Sequence, residues 1–430
     1  MVTFVSGKMR SGFIILFFLL LVVLLIEIYT YSGIAPFINQ IENNNPLWIA
    51  YYLLLILSVI SAIVFAKSVQ EKNPGIIKRP FSNVLSGLAL TLILTKLSFV
   101  TVIFAEDVFR ISQLAFQSVV ALSNDSDSMV QIASRNIRMA QIGLGVASIP
   151  LITFIHGITI GKYMFKVKRK KLFFPDLPEA FDGYRILQFS DMHAGSFDSL
   201  ERVHKGMKKI QREDPDLILF TGDMVNNHAD EIKPFIKMLS ALKAKDGKFS
   251  ILGNHDYGDY IHWASKDAKI HNLYKLISYQ EQSGFKMLLN ENVEIKKENE
   301  SIHVIGVENW GKPPFPQHGD LKKSLENIKE NAFTILMSHD PSHWDYEVVK
   351  HQKKIQLTLS GHTHGMQMGF DIPGLKWSPV KYKYPRWSGL YEEMGRYLYV
   401  NNGFGFLGFP GRVGIYPEIT VLELKSEKNR

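Results

Sequence analysis

The sequence predicts an α/β fold, a layered domain over about residues 172–430, preceded by a four-helix transmembrane region over about residues 1–165. Three observations point to it. The N-terminal third is strongly apolar although the mean hydropathy of the 430-residue chain is +0.00. After Leu172 short β-rich runs alternate with helical segments, the pattern of a layered α/β domain. Five of those runs pass at their carboxyl ends straight into a polar cluster.

Spanning a bilayer as a helix takes about 20 apolar residues at about 1.5 Å each. The runs Gly12 to Tyr31, Leu47 to Ala66, Val84 to Phe104 and Ile142 to Ile160 satisfy this. The first, behind Lys8 and Arg10, resembles a signal peptide, but its run is too long and no small-x-small site follows, so it reads as a retained helix. Lys96 and His156 fall inside spans and are expected either as intramembrane functional groups or as packing residues paired within the bundle. Between the third and fourth spans, Val108 to Leu122 has apolar residues at helical spacing and is expected as a separate interfacial or capping helix.

Orientation follows from where the basic residues lie. The loop from Ser32 to Pro46 has none, the next carries Lys67, Lys72, Lys78 and Arg79, and the densest basic run, Lys162 to Lys171, follows the fourth span. Both termini and the α/β domain are therefore expected on the cytoplasmic side of the inner (plasma) membrane, in a multi-pass chain. The net charge of +8 sits largely beside apolar segments. That placement suits an anionic membrane surface, and no nucleic-acid partner is expected. The absence of cysteine excludes disulfides and thiolate metal sites, so any metal must use nitrogen and oxygen ligands.

Strands are expected at Tyr184 to Ser190, Leu217 to Thr221, Lys248 to Leu252, Ile302 to Val307, Phe333 to Met337, Ile355 to Leu359, Tyr397 to Val400 and Ile419 to Leu424. The polar clusters behind them are Asp191-Met192-His193, Gly222-Asp223, Gly253-Asn254-His255-Asp256, Ser338-His339-Asp340 and Gly361-His362-Thr363-His364-Gly365. Strand carboxyl ends line the ligand crevice of open α/β sheets, so these clusters can converge. They supply four imidazoles, two carboxylates and one carboxamide as ligands, with His255 to spare. That donor set suits two divalent cations about 3.5 to 4 Å apart sharing a carboxylate. Residues i and i+2 of an extended chain point the same way, so Asp-x-His and His-x-His each offer two donors to one side.

On these five blocks, in this order, the chain resembles the calcineurin-like metallophosphoesterase superfamily, over about Arg185 to Leu424. It is most similar to a bacterial membrane-associated branch, with the block GHTHGMQMG and the closing strand PEITVLEL. The resemblance implies a four-layer α/β/β/α sandwich with metals at one edge. Asp191, His193 and His364 would hold one metal, Asn254, His339 and His362 the other, and Asp223 would bridge them. His255 would contact the phosphate and protonate the leaving oxygen, and Asp256 would orient His255. The implied reaction is attack on phosphorus by a metal-bridging hydroxide. Mn, Fe and Zn all suit the donors.

Substrate is less legible. The segment Phe370 to Tyr391 mixes Trp377, Tyr382, Tyr384, Arg386 and Trp387 with lysines, a composition suited either to a membrane interface or to loop packing. Arg412, in Gly411-Arg412-Val413-Gly414, is expected either to bind the substrate's anionic group or to form a salt bridge. The leading expectation is hydrolysis of a phosphate ester or pyrophosphate of a membrane lipid or lipid precursor. The alternative is a catalytically silent membrane protein that uses the domain as a binding or regulatory module. His343, beside a ligand strand, is expected as a packing residue.

Overall fold

A long apolar segment in lipid satisfies its backbone N–H and C=O groups internally, which makes it helical. In the computed structural model, which describes residues 2–38, 46–70, 79–123, 131–313 and 315–429, the N-terminal region forms α1 (Val2–Ile38), α2 (Pro46–Gln70), α3 (Arg79–Ser123) and α4 (Ile137–Thr159). Among the described residues, Leu20–Phe37, Val84–Ser123 and Ile137–Tyr163 are long and apolar enough to cross a membrane, and α2 contributes the shorter apolar stretch Tyr51–Ser61. Lys72 and Lys78 of the basic loop lie outside the described residues, as do residues 39–45 of the loop before Pro46.

The separate helix expected over Val108 to Leu122 is instead the continuation of α3. Neither glycine nor proline interrupts Phe104 to Val108, so nothing stops the helix where its apolar character turns amphipathic. Its 45 residues span about 67 Å at 1.5 Å per residue, more than twice a hydrocarbon core of about 30 Å. Lys96 is paired within the helices. Its ammonium donates to the Glu27 carboxylate of α1 and, at 2.6 Å, to Ser58 Oγ of α2, with Glu27 and Ser58 both buried.

Contacts divide the chain into two units, Met1–His156 and Gly157–Arg430. The second is built from β1 (Lys166–Phe174), β2 (Arg185–Phe189), α5 (Leu200–Arg212), β3 (Leu217–Phe220), α6 (Ile236–Ser240), β4 (Lys248–Ser250), α7 (Lys266–Gln282), β5 (Lys286–Met287), β6 (Glu291–Lys297), β7 (Glu300–Gly306), β8 (Thr334–Met337), β9 (Leu357–Ser360), β10 (Phe370–Ile372), β11 (Leu375–Trp377), β12 (Gly389–Glu393), β13 (Arg396–Val400) and β14 (Glu418–Ser426). One six-stranded sheet has the order β1-β14-β2-β3-β4-β5, the other β12-β13-β9-β8-β7-β6, and β10 and β11 form a two-stranded sheet. β2 to β5 run parallel, as do β7, β8, β9 and β13, so the carboxyl ends of β2, β3, β4, β8 and β9 are free to share one edge.

The layering follows from the period of two along each strand. Ile186, Leu217, Leu422 and Leu424 pack against Ile302, Ile335, Met337 and Leu359 of the other sheet, forming the core between the sheets. Their neighbours Leu187, Ile218 and Phe220 face the opposite way, against Val203, Met207 and Ile210 of α5 and Leu276 of α7. On the outer face of the second sheet, Ile305, Leu336 and Leu398 meet Leu321, Trp344 and Val348, which lie on short helical segments.

All eight expected strands are present. The basic run before Leu172 is also a strand, β1, paired in parallel with β14. Lysine-rich alternation hides it as a strand, and the same lysines protect it as a sheet edge. Lys168 pairs with Asp371 and Glu418, and Arg169 with Glu213.

The Lys96 pair yields a prediction. Breaking a buried ion pair on one side strands the other charge, at a cost of about 3–5 kcal/mol. Lys96→Ala should therefore lower the unfolding midpoint of the detergent-solubilised chain, and Glu27→Leu combined with Lys96→Met should recover most of the loss. Equal midpoints for the wild type and Lys96→Ala would show that the pair does not stabilise the helices.

Candidate metal centre

After β2, β3 and β9 the chain turns sharply, and it does so on ligand-type residues. Asp191 (φ 52°), His193 (45°), Asp223 (59°), His362 (72°) and His364 (51°) all occupy the left-handed region, which costs a non-glycine residue of order 1–3 kcal/mol. Two glycines make room for this crowding. A Cβ on Gly253 would lie 2.3 Å from Asp223 Oδ1, and one on Gly361 would lie 2.3 Å from Asp191 Oδ2.

The side chains so presented fall into two sets. In the first, His364 Nε2 lies 3.1 Å from His193 Nε2 and 3.3 Å from Asp191 Oδ1. In the second, His362 Nδ1 lies 2.8 Å from Asn254 Oδ1, and His362 groups with Asp223 and His339. The Asn254 amide nitrogen donates to Tyr260 at 2.7 Å, which turns its oxygen toward His362. Asp223 Oδ2 faces both sets, 3.5 Å from His193 Nε2 and 3.2 Å from His339 Nε2. Donor atoms about 3 Å apart are spaced as neighbours around a cation held by bonds of about 2.0–2.2 Å.

A cation fits these residues on electrostatic grounds. His339 Nδ1 lies 2.7 Å from the Thr221 carbonyl, which can only accept, so that nitrogen carries a hydrogen. In the neutral ring the lone pair is then on Nε2, buried and facing Asp223, with Asp191 Oδ1 4.0 Å away. A lone pair set against two buried carboxylates needs a positive charge between them. Burial opposes charging His339, but Asp223 and Asp191 outweigh it and push its pKa up to about 10. Burial, and then the Asp223 charge, raise Asp191 to about 7. Burial lowers His193 to about 3 and holds His362 and His364 below the ordinary imidazole value, leaving neutral nitrogen donors.

The structure brings all seven expected ligand residues to this edge. His255 is there too: its backbone N–H donates to Asp223 Oδ1 at 2.8 Å, its Nδ1 meets the Asn226 carbonyl at 2.9 Å, and its ring stacks on Tyr260. Two expected roles need correction. Asp256 does not orient the His255 ring, because its carboxylate accepts the N–H groups of Asp223, Met224, Val225 and Gly253 and so holds the two loops together. Arg412 is fully buried and, among the described residues, forms no salt bridge. It donates to the Gly403 and Gly405 carbonyls and to His364 Nδ1 at 3.2 Å. Its place is behind a ligand-type residue.

Of the aromatic segment noted in the sequence, Tyr384 reaches the site, its hydroxyl 2.8 Å from His362 Nε2. Asp340, whose Oδ2 lies 3.6 Å from that nitrogen, stands in a noted cluster but was not singled out as a site residue. His343 packs as expected, bonded to Ser338 and Glu347 and stacked on Trp310. Beside His362 opens a cavity of about 420 Å³, lined by Lys312, Phe315, Tyr346, Lys383, Tyr384 and Arg386.

The raised His339 value predicts that the metal-free site keeps a proton at neutral pH, which a cation must displace. Metal affinity should therefore rise with pH toward about 10 and fall as pH drops. Calorimetry in two buffers of different ionisation heat should detect release of about one proton per first cation bound. No release would show that the carboxylate–imidazole cluster is already deprotonated.

Residues 184–366 match the family model described as Calcineurin-like phosphoesterase, and residues 9–162 match one described as Probable Calcineurin-like phosphoesterase, transmembrane domain. The chain is similar to the uncharacterized metallophosphoesterase YkuE of Bacillus subtilis, 31% identical over 258 residues, covering 58% of this chain and 82% of the relative. It is similar to an uncharacterized metallophosphoesterase of Aquifex aeolicus, 28% identical over 270 residues, covering 62% and 94%. A transmembrane protein with metallophosphoesterase domain from Danio rerio is 24% identical over 311 residues, covering 71% and 67%. The sheets and the apolar helices thus each match a model of the same kind, and the chain belongs to the calcineurin-like metallophosphoesterases, as a form that carries a transmembrane domain.

Proposed function

We propose that this protein is a membrane-anchored, binuclear metal-dependent hydrolase of a phosphate ester or pyrophosphate borne by a membrane lipid or lipid precursor. Its catalytic domain, from β1 to the end of β14, would face the cytoplasm. The observation that carries the reading is the single oxygen, Asp223 Oδ2, placed toward two sets of imidazoles and carboxylates. Asp191, His193 and His364 would hold one cation, Asn254, His339 and His362 the other, with Asp223 shared. Divalent ions such as Mn, Fe or Zn would supply Lewis acidity toward the phosphoryl oxygens and lower the pKa of water.

The chain's own groups account for the remaining work. Asn226 holds the His255 ring by Nδ1, leaving Nε2 directed away from that anchor and available to the leaving oxygen. Asp256 keeps the Asp223 and Asn254 loops at a constant separation through its four backbone hydrogen bonds. Arg412 backs His364. Lys312 and Lys383 at the adjacent cavity offer positive charge to an anionic substrate, and Phe315, Tyr346 and Tyr384 offer apolar walls to the group it carries. A regulatory module without turnover would not require seven donor residues brought to donor spacing, which favours the enzyme.

The test is metal-dependent hydrolysis by the purified full chain across substrates from soluble aryl phosphodiesters to lipid pyrophosphates. Asp223→Ala should lose both bound metal and activity. His255→Ala should keep its metal and lower kcat by about 10²- to 10⁴-fold. Metal binding by the wild type without turnover on any substrate would favour the regulatory module, and unchanged kcat in His255→Ala would remove that residue from the chemistry.

A further inference from the structure

The second unit displays an apolar surface that its own core does not use. Phe370 (53% exposed), Ile372 (58%) and Leu375 (49%) on the β10–β11 hairpin, together with Tyr382 (78%), project outward. The hairpin forms a two-stranded sheet of its own, and a two-stranded hairpin is marginal in water without a surface to pack on. Lysines surround it. Lys376, Lys381 and Lys383 are exposed in the same segment, and Lys168 of β1 reaches Asp371 at 2.5 Å, with Lys170 on the same side of that strand. Aromatic and aliphatic tips ringed by lysine match the interfacial zone of an anionic bilayer.

The connections of the hairpin's base indicate which surface it meets. Gly369 N–H donates to the Val413 carbonyl at 3.0 Å, and Val413 N–H to the Gln367 carbonyl at 2.7 Å. The next residue back, Arg412, donates its N–H to the carbonyl of Gly157 at 3.1 Å, and a Cβ on Gly157 would lie 2.7 Å from Val413 Cγ2. Gly157 belongs to the apolar stretch Ile137–Tyr163. The hairpin is thus joined through one loop to the point where the chain leaves its last apolar span.

We propose that the β10–β11 hairpin, with Tyr382, is a lipid-docking element that seats in the surface of the bilayer in which the chain's own helices are anchored. It holds the metal-bearing edge, only a few residues upstream at His362 and His364, against the lipid headgroups. This placement deepens the lipid-phosphate reading of the site and gives an embedded ester a route to it, although the docking itself requires no turnover.

The absence of cysteine allows a direct measurement on the full chain. Ile372→Cys, Leu375→Cys and, as control, Tyr274→Cys on α7 would each carry a polarity-sensitive fluorophore in nanodiscs containing phosphatidylglycerol and a doxyl-labelled phosphatidylcholine. Tyr274 is 67% exposed, and α7 packs beside β5, at the opposite edge of the first sheet from β1. Docking predicts blue-shifted emission and several-fold stronger quenching at 372 and 375 than at 274. Equal quenching at all three positions overturns the proposal, including the case in which a second copy of the chain covers the hairpin. Phe370→Ser with Ile372→Ser and Leu375→Ser should then raise KM for a bilayer-embedded ester and leave kcat/KM on a soluble aryl ester unchanged. A failure confined to this kinetic arm bears on the substrate, whereas a failure of quenching bears on docking.

Discussion

The α/β unit is organised around two carboxylates, Asp191 and Asp223, buried at one sheet edge among four imidazoles. Such a cluster is costly in a low-dielectric interior unless positive charge enters it. A proton on His339, whose pKa Asp223 and Asp191 push up, would meet part of that need in the metal-free chain. Two divalent cations would meet it fully and would turn the cost of burial into binding free energy.

Everything around the cluster serves to hold it in that costly arrangement. Five of its members sit at positive φ, and two glycines clear the space that their carboxylates occupy. Asp256 ties two of the loops together through backbone N–H groups, and Arg412 is entirely enclosed behind His364. These residues explain why a polar edge can be rigid: each loop is bonded to another loop more than to solvent. The two sheets contribute by ending several strands at the same level, so that donors far apart in sequence share one centre.

The unit's remaining chemistry is that of an interface. Its first strand is rich in lysine, its hairpin is apolar at the tip, and the loop joining that hairpin to the body also receives the end of the last apolar stretch. A cavity with two lysines opens beside His362. Together these features are what the proposed action on an anionic lipid group rests on.

How much of this was legible in the sequence depended on whether the signal was local. The apolar spans, the eight strands and the blocks at their ends are local patterns, since lipid thickness, the two-residue period of a strand and glycine-flanked turns each leave a mark in a short stretch. They determined the α/β class, the attached membrane helices and the set of donor residues. Other features required contacts between distant segments. β1 reads as a basic linker until β14 pairs with it, and α3 reads as span plus loop until continuous hydrogen bonding carries it past Phe104. Asp256 and Arg412 have the residue types of catalysis and substrate binding, but their burial commits them to backbone groups. Tyr384 reaches His362 only because its loop folds back over the strand ends. The sequence by itself determined which groups are available for chemistry. Tertiary structure decided which of them face the cleft, because burial and hydrogen-bond competition are settled between segments far apart in the chain.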